Sequence, residues 1–133
     1  MREIKFRAWD KVIKNIVKII SLDYECDVAK ITKGKDIVEA KLKELELMQY
    51  TGLKDKNGVE IYEGDVVKCY YQEWNKSRET FAIVEFKGGH FSGYCKCGCE
   101  GVFTLQTDGD FIIEVIGNIY EATEEQRKEW ELE

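Results

Sequence analysis

The chain has no proline and a single histidine. Without proline, no proline-rich linker divides it. One histidine leaves little for metal or nucleophilic chemistry built on imidazoles. No apolar run approaches the ~20 residues of a membrane span. The opening MREIKFRAWD alternates charge with apolar residues and has no hydrophobic h-region, so no signal peptide is expected. There is no glycine-rich phosphate loop ending in Lys-Ser/Thr and no H-E-x-x-H. No repeats and no low-complexity segments interrupt the sequence.

What is there fits an ordinary globular chain. It has 133 residues, 44% hydrophobic and 35% charged, enough to bury a core without disulfide staples. The cytoplasm is the expected compartment, where the five cysteines stay reduced. Charge is uneven. Residues 1–46 hold 11 Lys+Arg against 9 Asp+Glu, a net +2, and the rest hold 9 against 17, a net −8, which together give −6. The basic part is the opening, with Arg2, Lys5, Arg7, Lys11, Lys14 and Lys18 against Glu3 and Asp10. An acidic body repels phosphate, so the basic stretch reads first as the solvated face of a strand. A nucleic-acid-binding accessory protein using this hairpin is the alternative.

The pattern is one of short strands and tight turns. Ile4, Phe6 and Ala8 alternate with Lys5, Arg7 and Trp9, which predicts a half-buried strand. Asp10-Lys11 turns it into a second strand from Asn15 to Ile20. Val28 to Thr32 is a third, closed by Lys33-Gly34-Lys35-Asp36. Residues 37–46 fit two patterns. Val38, Ala40 and Leu42 alternate, whereas Val38, Leu42 and Leu45 have helical spacing and Glu39–Lys43 is a favourable i,i+4 pair; propensity tips the reading to a short helix.

The middle is the most informative stretch, LMQYTGLKDKNGVEIYEGDVV at Leu47–Val67. Asn57-Gly58 predicts a hairpin with a type I′ turn, and Glu63-Gly64-Asp65 a second turn into the next strand. Further strands follow at Asp65–Tyr71, Thr80–Phe86, His90–Tyr94, Val102–Gln106 and Phe111–Tyr120. Gly88-Gly89 and Thr107-Asp108-Gly109-Asp110 are turns, and Gly117-Asn118 marks a bulge or bend. Residues 122–133 predict a helix. Thr123 and Gln126 have capping-box spacing, Glu124 and Glu125 suit its first turn, and Trp130 is placed to dock it. The order strand, polar loop, strand, glycine hairpin, strand suggests an SH3-like barrel.

The opening MREIKFRAWD, the central QYTGLKDKNG…IYEGD and the closing EVIGNIYE at Glu114–Glu121 resemble the YopX family in order along nearly the whole chain. That resemblance implies a phage or prophage setting and a mainly β fold with an SH3-type barrel. It implies no biochemical activity and no catalytic residues. Cys95-Lys96-Cys97-Gly98-Cys99 departs from the family's pattern, and residues 21–46 fall in a stretch that varies.

The expectation is therefore a mainly β, single-domain protein over 1–133. An N-terminal β-hairpin and variable segment occupy 1–46, and an SH3-like small barrel with a short C-terminal helix occupies 47–133. It is read as non-catalytic, without cofactor, metal or membrane, and as binding an unidentified host or phage protein. Cys95, Cys97 and Cys99, with His90 and Cys69, are the candidate zinc ligands. The C-x-C spacing lacks the knuckle geometry of a zinc site, and reduced thiols in a glycine-rich loop are preferred. Cys-His catalysis through His90 lacks an orienting third group. Asp108-Gly109-Asp110 lacks the further oxygens of a calcium loop. The aromatic group Tyr70, Tyr71 and Trp74 is a binding hint, against which stands burial or covering of a barrel end. A homo-oligomer follows from the first strand, which needs a neighbour. That neighbour is either Phe111–Tyr120 in the same chain or a partner's edge, with Trp9 on the contact face.

Overall fold

Eleven strands, one turn of 3₁₀-helix and one short α-helix make up the computed structural model, which describes residues 3–71, 80–87, 90–94, 102–104 and 111–130. The protein is mainly β. The chain divides into two compact units, Met1–Tyr50 and Thr51–Glu133.

The first unit is a meander. Its strands are β1 (Phe6–Asp10), β2 (Asn15–Asp23), β3 (Val28–Lys33), β4 (Asp36–Lys41) and the leading half of β5 (Leu45–Lys54), in the sheet order β4-β3-β2-β1-β5. The expected N-terminal hairpin is present, with Ala8 opposite Val17. Its core joins Ala8, Val17, Ala29, Ile31 and Leu45, against which Ile19, Leu22, Val38, Ala40 and Leu42 pack. The neighbour that β1 needs is β5, with Ala8 opposite Leu47, and not Phe111–Tyr120. Both edges of β1 are thus occupied within the chain.

The helix expected over 37–46 is instead β4, a single 3₁₀ turn at Leu42–Glu44, and the start of β5. The i,i+4 pair and good propensities are worth only tenths of a kcal/mol. The strand pairs six residues with β3, from Lys33↔Asp36 to Val28↔Lys41, and sets Val38 and Ala40 on the core. Tertiary pairing outweighs propensity here.

The second unit begins with the rest of β5 and its neighbour β6 (Glu60–Tyr62). A five-stranded sheet follows, built from β7 (Asp65–Tyr71), β8 (Thr80–Lys87), β9 (His90–Tyr94), β10 (Val102–Thr104) and β11 (Phe111–Asn118), in the order β10-β9-β8-β7-β11. Among the described residues β1–β2, β1–β5, β2–β3, β3–β4, β7–β8, β7–β11, β8–β9 and β9–β10 all pair antiparallel. Among the described residues these strands do not close into the expected SH3-like barrel. β10 and β11 are opposite ends of an open sheet, and β6, only three residues long, pairs with β5 instead of bridging them. One core gathers Ile61, Val67, Cys69, Ala82, Val84, Phe91 and Ile113. A second gathers Val66 and Ile83, of β7 and β8, with Trp130 from the C-terminal segment. The helix α1 (Glu124–Glu129) carries the capping box read from the sequence. The Thr123 hydroxyl accepts from the Gln126 amide, and the Gln126 side chain accepts from the Thr123 amide. The Gly117 irregularity is a bulge that skips Ile116 between Val115 and Gly117.

Candidate functional site

The sequence's most distinctive stretch builds a corner. Gly58 has φ 82, while Asn57 is absent from the positive-φ residues, so the turn is not the expected type I′. The Gly58 amide donates to Asp55 O at 3.0 Å and the Asp55 amide to Val59 O at 2.8 Å. This is a type I turn with glycine at the left-handed bulge position, the three-residue form of hairpin loop. Asp55 is buried, and both oxygens of its carboxylate accept hydrogen bonds. Oδ1 accepts from the amides of Asn57 (2.8 Å) and Val59 (2.9 Å), and Oδ2 accepts from Val115 on β11 at 3.0 Å. The buried Asp65 carboxylate likewise accepts from the Tyr62 amide at 2.8 Å. Two buried acids in one motif would suit general acid–base work, but both accept from backbone amides: Asp55 holds its loop to β11, and Asp65 closes its own turn.

Lys56, at the tip of that loop, leans over Tyr70. Its Nζ donates to the Tyr70 hydroxyl at 3.3 Å and pairs with Glu114 at 3.3 Å. Tyr70, and then Glu114, hold the Lys56 ammonium above its ordinary range. Of the aromatic group, Tyr70 is thereby half-covered and Trp74 lies outside the described residues.

The thiols separate by environment. Cys69 sits in the core, and burial pushes it up to about 12. A thiol in that state is a protonated core residue at neutral pH. Cys26 is exposed, and a hydrogen bond to Asp23, with that carboxylate's charge, raises it above the ordinary value. Cys95, Cys97, Cys99, Asp108 and Asp110 lie outside the described residues, as does the side chain of His90. Glu124 and Glu125 sit in the first turn of α1 as helix-dipole partners.

The basic opening is partly neutralised. Lys5 pairs with Glu3 at 3.5 Å and lies over the Tyr50 ring, and Lys11 pairs with Glu46 at 3.4 Å. Arg7 Nη2 donates to Met48 Sδ at 3.7 Å.

The surface that the sequence did not single out is on β2, β3 and β4. An open groove of about 530 Å³ is lined by Leu22, Asp23, Tyr24, Glu25, Lys30 and Glu39, among others. Tyr24 is 67% exposed beside it, and Ile37 and Ile20 of the same sheet are 61% and 46% exposed. Ile20 is turned out by a bulge, since the register passes from Ile19↔Ile31 to Ser21↔Lys30. The only sequence sign was a surplus of β-branched residues in β2 and β4. Among the described residues, no helix is long and apolar enough to cross a membrane.

Comparison with known proteins gives a setting for this geometry. The family model described as YopX protein matches residues 5–125. The chain is also similar to a crystal structure of protein EF1440 from Enterococcus faecalis, with 29% identity, a TM-score of 0.61, and coverage of 91% of this chain and 96% of that one. No curated protein matches.

Proposed function

Because the chain belongs to the YopX family, we propose that it is a phage- or prophage-derived, non-catalytic protein-binding module that works in the cytoplasm of a bacterial host. The observation that carries this reading is the groove on the first unit, with Tyr24 67% exposed at its side and charges of both signs, Lys30 and Glu39, along it. An aromatic side chain beside a polar-lined groove is how protein interfaces anchor, with the ring as hot spot and the charges as rim. A second support is the use of Asp55 and Asp65 as backbone ligands, which absorbs the family motif into architecture.

The test compares immobilised wild type with Tyr24→Glu, whose side chain is solvent-facing. Host proteins retained by the wild type should be depleted on the variant, with the melting temperature unchanged. Equal retention by both would remove the groove from the proposal. A gel shift on DNA and RNA across a salt series addresses the rival use of the basic hairpin. A steep loss of affinity with salt would transfer the function to nucleic acid.

A further inference from the structure

Among the described residues, the first unit's sheet ends on β4, which has β3 as its one neighbour. We propose that β4 pairs antiparallel with β4 of a second copy of this chain, about a two-fold axis through Ile37. This deepens the protein-binding reading above by naming a partner for the same sheet.

The backbone sets which groups are offered. Lys33↔Asp36 closes a two-residue turn whose first central residue, Gly34, has φ 64. The pair that closes such a turn exchanges hydrogen bonds, and such pairs alternate along the ladder. Asp36, Val38 and Ala40 therefore direct N–H and C=O at β3. Ile37 and Glu39 direct theirs outward, and nothing in the described chain pairs with that edge. The outer face follows the same alternation. Val38 and Ala40 pack on the core, while Ile37 is 61% exposed and Lys35 and Glu39 are exposed.

Charge then selects the register. Centring on Val38 sets Lys35 opposite the partner's Lys41 and Ile37 opposite Glu39. Centring on Glu39 sets that carboxylate against its own copy. Like charges directly opposite are destabilising. Centring on Ile37 sets the two isoleucines together, and Lys35 across from Glu39 twice. Beyond Lys35 the chain turns away into β3, so Lys41 meets no like charge. This register also matches outward backbone groups with outward backbone groups, and it covers the exposed Ile37. Edges are usually blunted by charge, and on this one Ile37, second in β4, is the exposed apolar residue left between Lys35 and Glu39.

Sedimentation velocity on the full chain over a concentration series is the experiment, with wild type, Ile37→Lys, Lys35→Glu, Glu39→Lys and the double variant Lys35→Glu/Glu39→Lys. All three sites are exposed, and melting temperatures confirm that each variant folds. The wild type should dimerise. Ile37→Lys should be monomeric. Each single charge reversal should weaken the dimer by roughly tenfold, since the two-fold repeats every clash. The double variant should regain it. A wild type that stays monomeric to about 100 μM would overturn the pairing. So would a dimer that ignores Ile37→Lys, or charge reversals that the double variant does not rescue. In those cases a Tyr24-dependent partner would still uphold the protein-binding reading, whereas equal retention by wild type and Tyr24→Glu with the dimer intact would remove the groove alone.

Discussion

At the scale of single residues, the chain's acidity is partly a property of its corners. Asp10 Oδ1 accepts from the amides of Val12 and Ile13, Asp23 Oδ1 from Glu25 and Cys26, and Asn118 Oδ1 from Tyr120 and Glu121. Asp55 does the same at its hairpin. A short side-chain oxygen that caps its own turn is why Asp and Asn begin turns at all. The turns at Asp10 and at Asn57-Gly58 were legible from such residues, whereas Gly117-Asn118 read as a bulge or bend within the last strand. The turn type at Gly58 was not legible, because Asn-Gly permits two backbone solutions and Asp55, two residues upstream, selects between them. Nothing lies within 4 Å of a Cβ built on Gly58, so Gly58→Val is resisted by its φ of 82 alone. The expected loss is about 1–2 kcal/mol, read by chemical denaturation. Asp55→Ala should cost more, about 2–4 kcal/mol, because three amides lose their acceptor together. Equal effects would mean that the loop is held by its glycine and not by its carboxylate.

Cys69 gives a pH dependence of definite sign. Its thiol has an ordinary value of 9.0 and is pushed up to about 12 by burial in the fold. Between those two values the unfolded chain loses the proton and the folded chain keeps it. This contribution to stability is therefore whole below about pH 9 and is lost as pH rises towards 12. Cys69→Val, which keeps the core apolar, should flatten the alkaline loss of stability relative to wild type. Peptide mapping after brief alkylation should find Cys26 modified and Cys69 protected until the chain unfolds. Early modification of Cys69 would show that β7 opens locally.

At the scale of elements, the C-terminal helix illustrates how little helix a sequence needs when its ends are specified. Six residues are too few to persist alone. The capping box fixes where they begin, and Arg127 ties the helix to the strand end through a hydrogen bond to Ile119 O at 2.6 Å. Trp130 then enters the core beside Val66 and Ile83. Gly117 makes room for it: a Cβ there would come within 2.7 Å of Trp130 Cη2. Gly117 was legible only as a bulge signal, because the clash it avoids comes from a residue thirteen positions away. The reverse failure is β4, where local helix preference pointed one way and the non-local ladder to β3 went the other. We expect Trp130→Ala to cost about 3–5 kcal/mol and Thr123→Ala about 1 kcal/mol. Gly117→Ala should lose about 1–3 kcal/mol by overpacking, with a red-shifted Trp130 emission as the ring is displaced. A Gly117→Ala variant as stable as wild type, with unchanged emission, would remove the ring from its proposed seat.

At the scale of the whole molecule, the separation into Met1–Tyr50 and Thr51–Glu133 follows from where the apolar side chains gather. Ala8, Val17, Ala29, Ile31 and Leu45 form a core drawn wholly from the first unit, and the remaining two cores are drawn wholly from the second. β5, from Leu45 to Lys54, is the one strand that runs from the first unit into the second. The sequence showed mainly β structure through alternation, yet sheet order is non-local information, and the pairing of β1 with β5 could not be read from either strand. Whether 1–133 behaves as the single domain expected from its length is a question of cooperativity, and one substitution in each unit answers it. Ile31→Ala and Ile113→Ala each remove a side chain that is 2% exposed, at a cost of about 2–5 kcal/mol. Hydrogen exchange in native buffer should show Ile31→Ala speeding exchange in β1–β4 while β7, β8 and β11 keep their protection. Ile113→Ala should do the opposite, because separate cores open as separate units. The amides of β5 should respond to both variants. Equal acceleration throughout the chain by either one would establish a single cooperative unit, with the shared strand transmitting the loss of one core to the other.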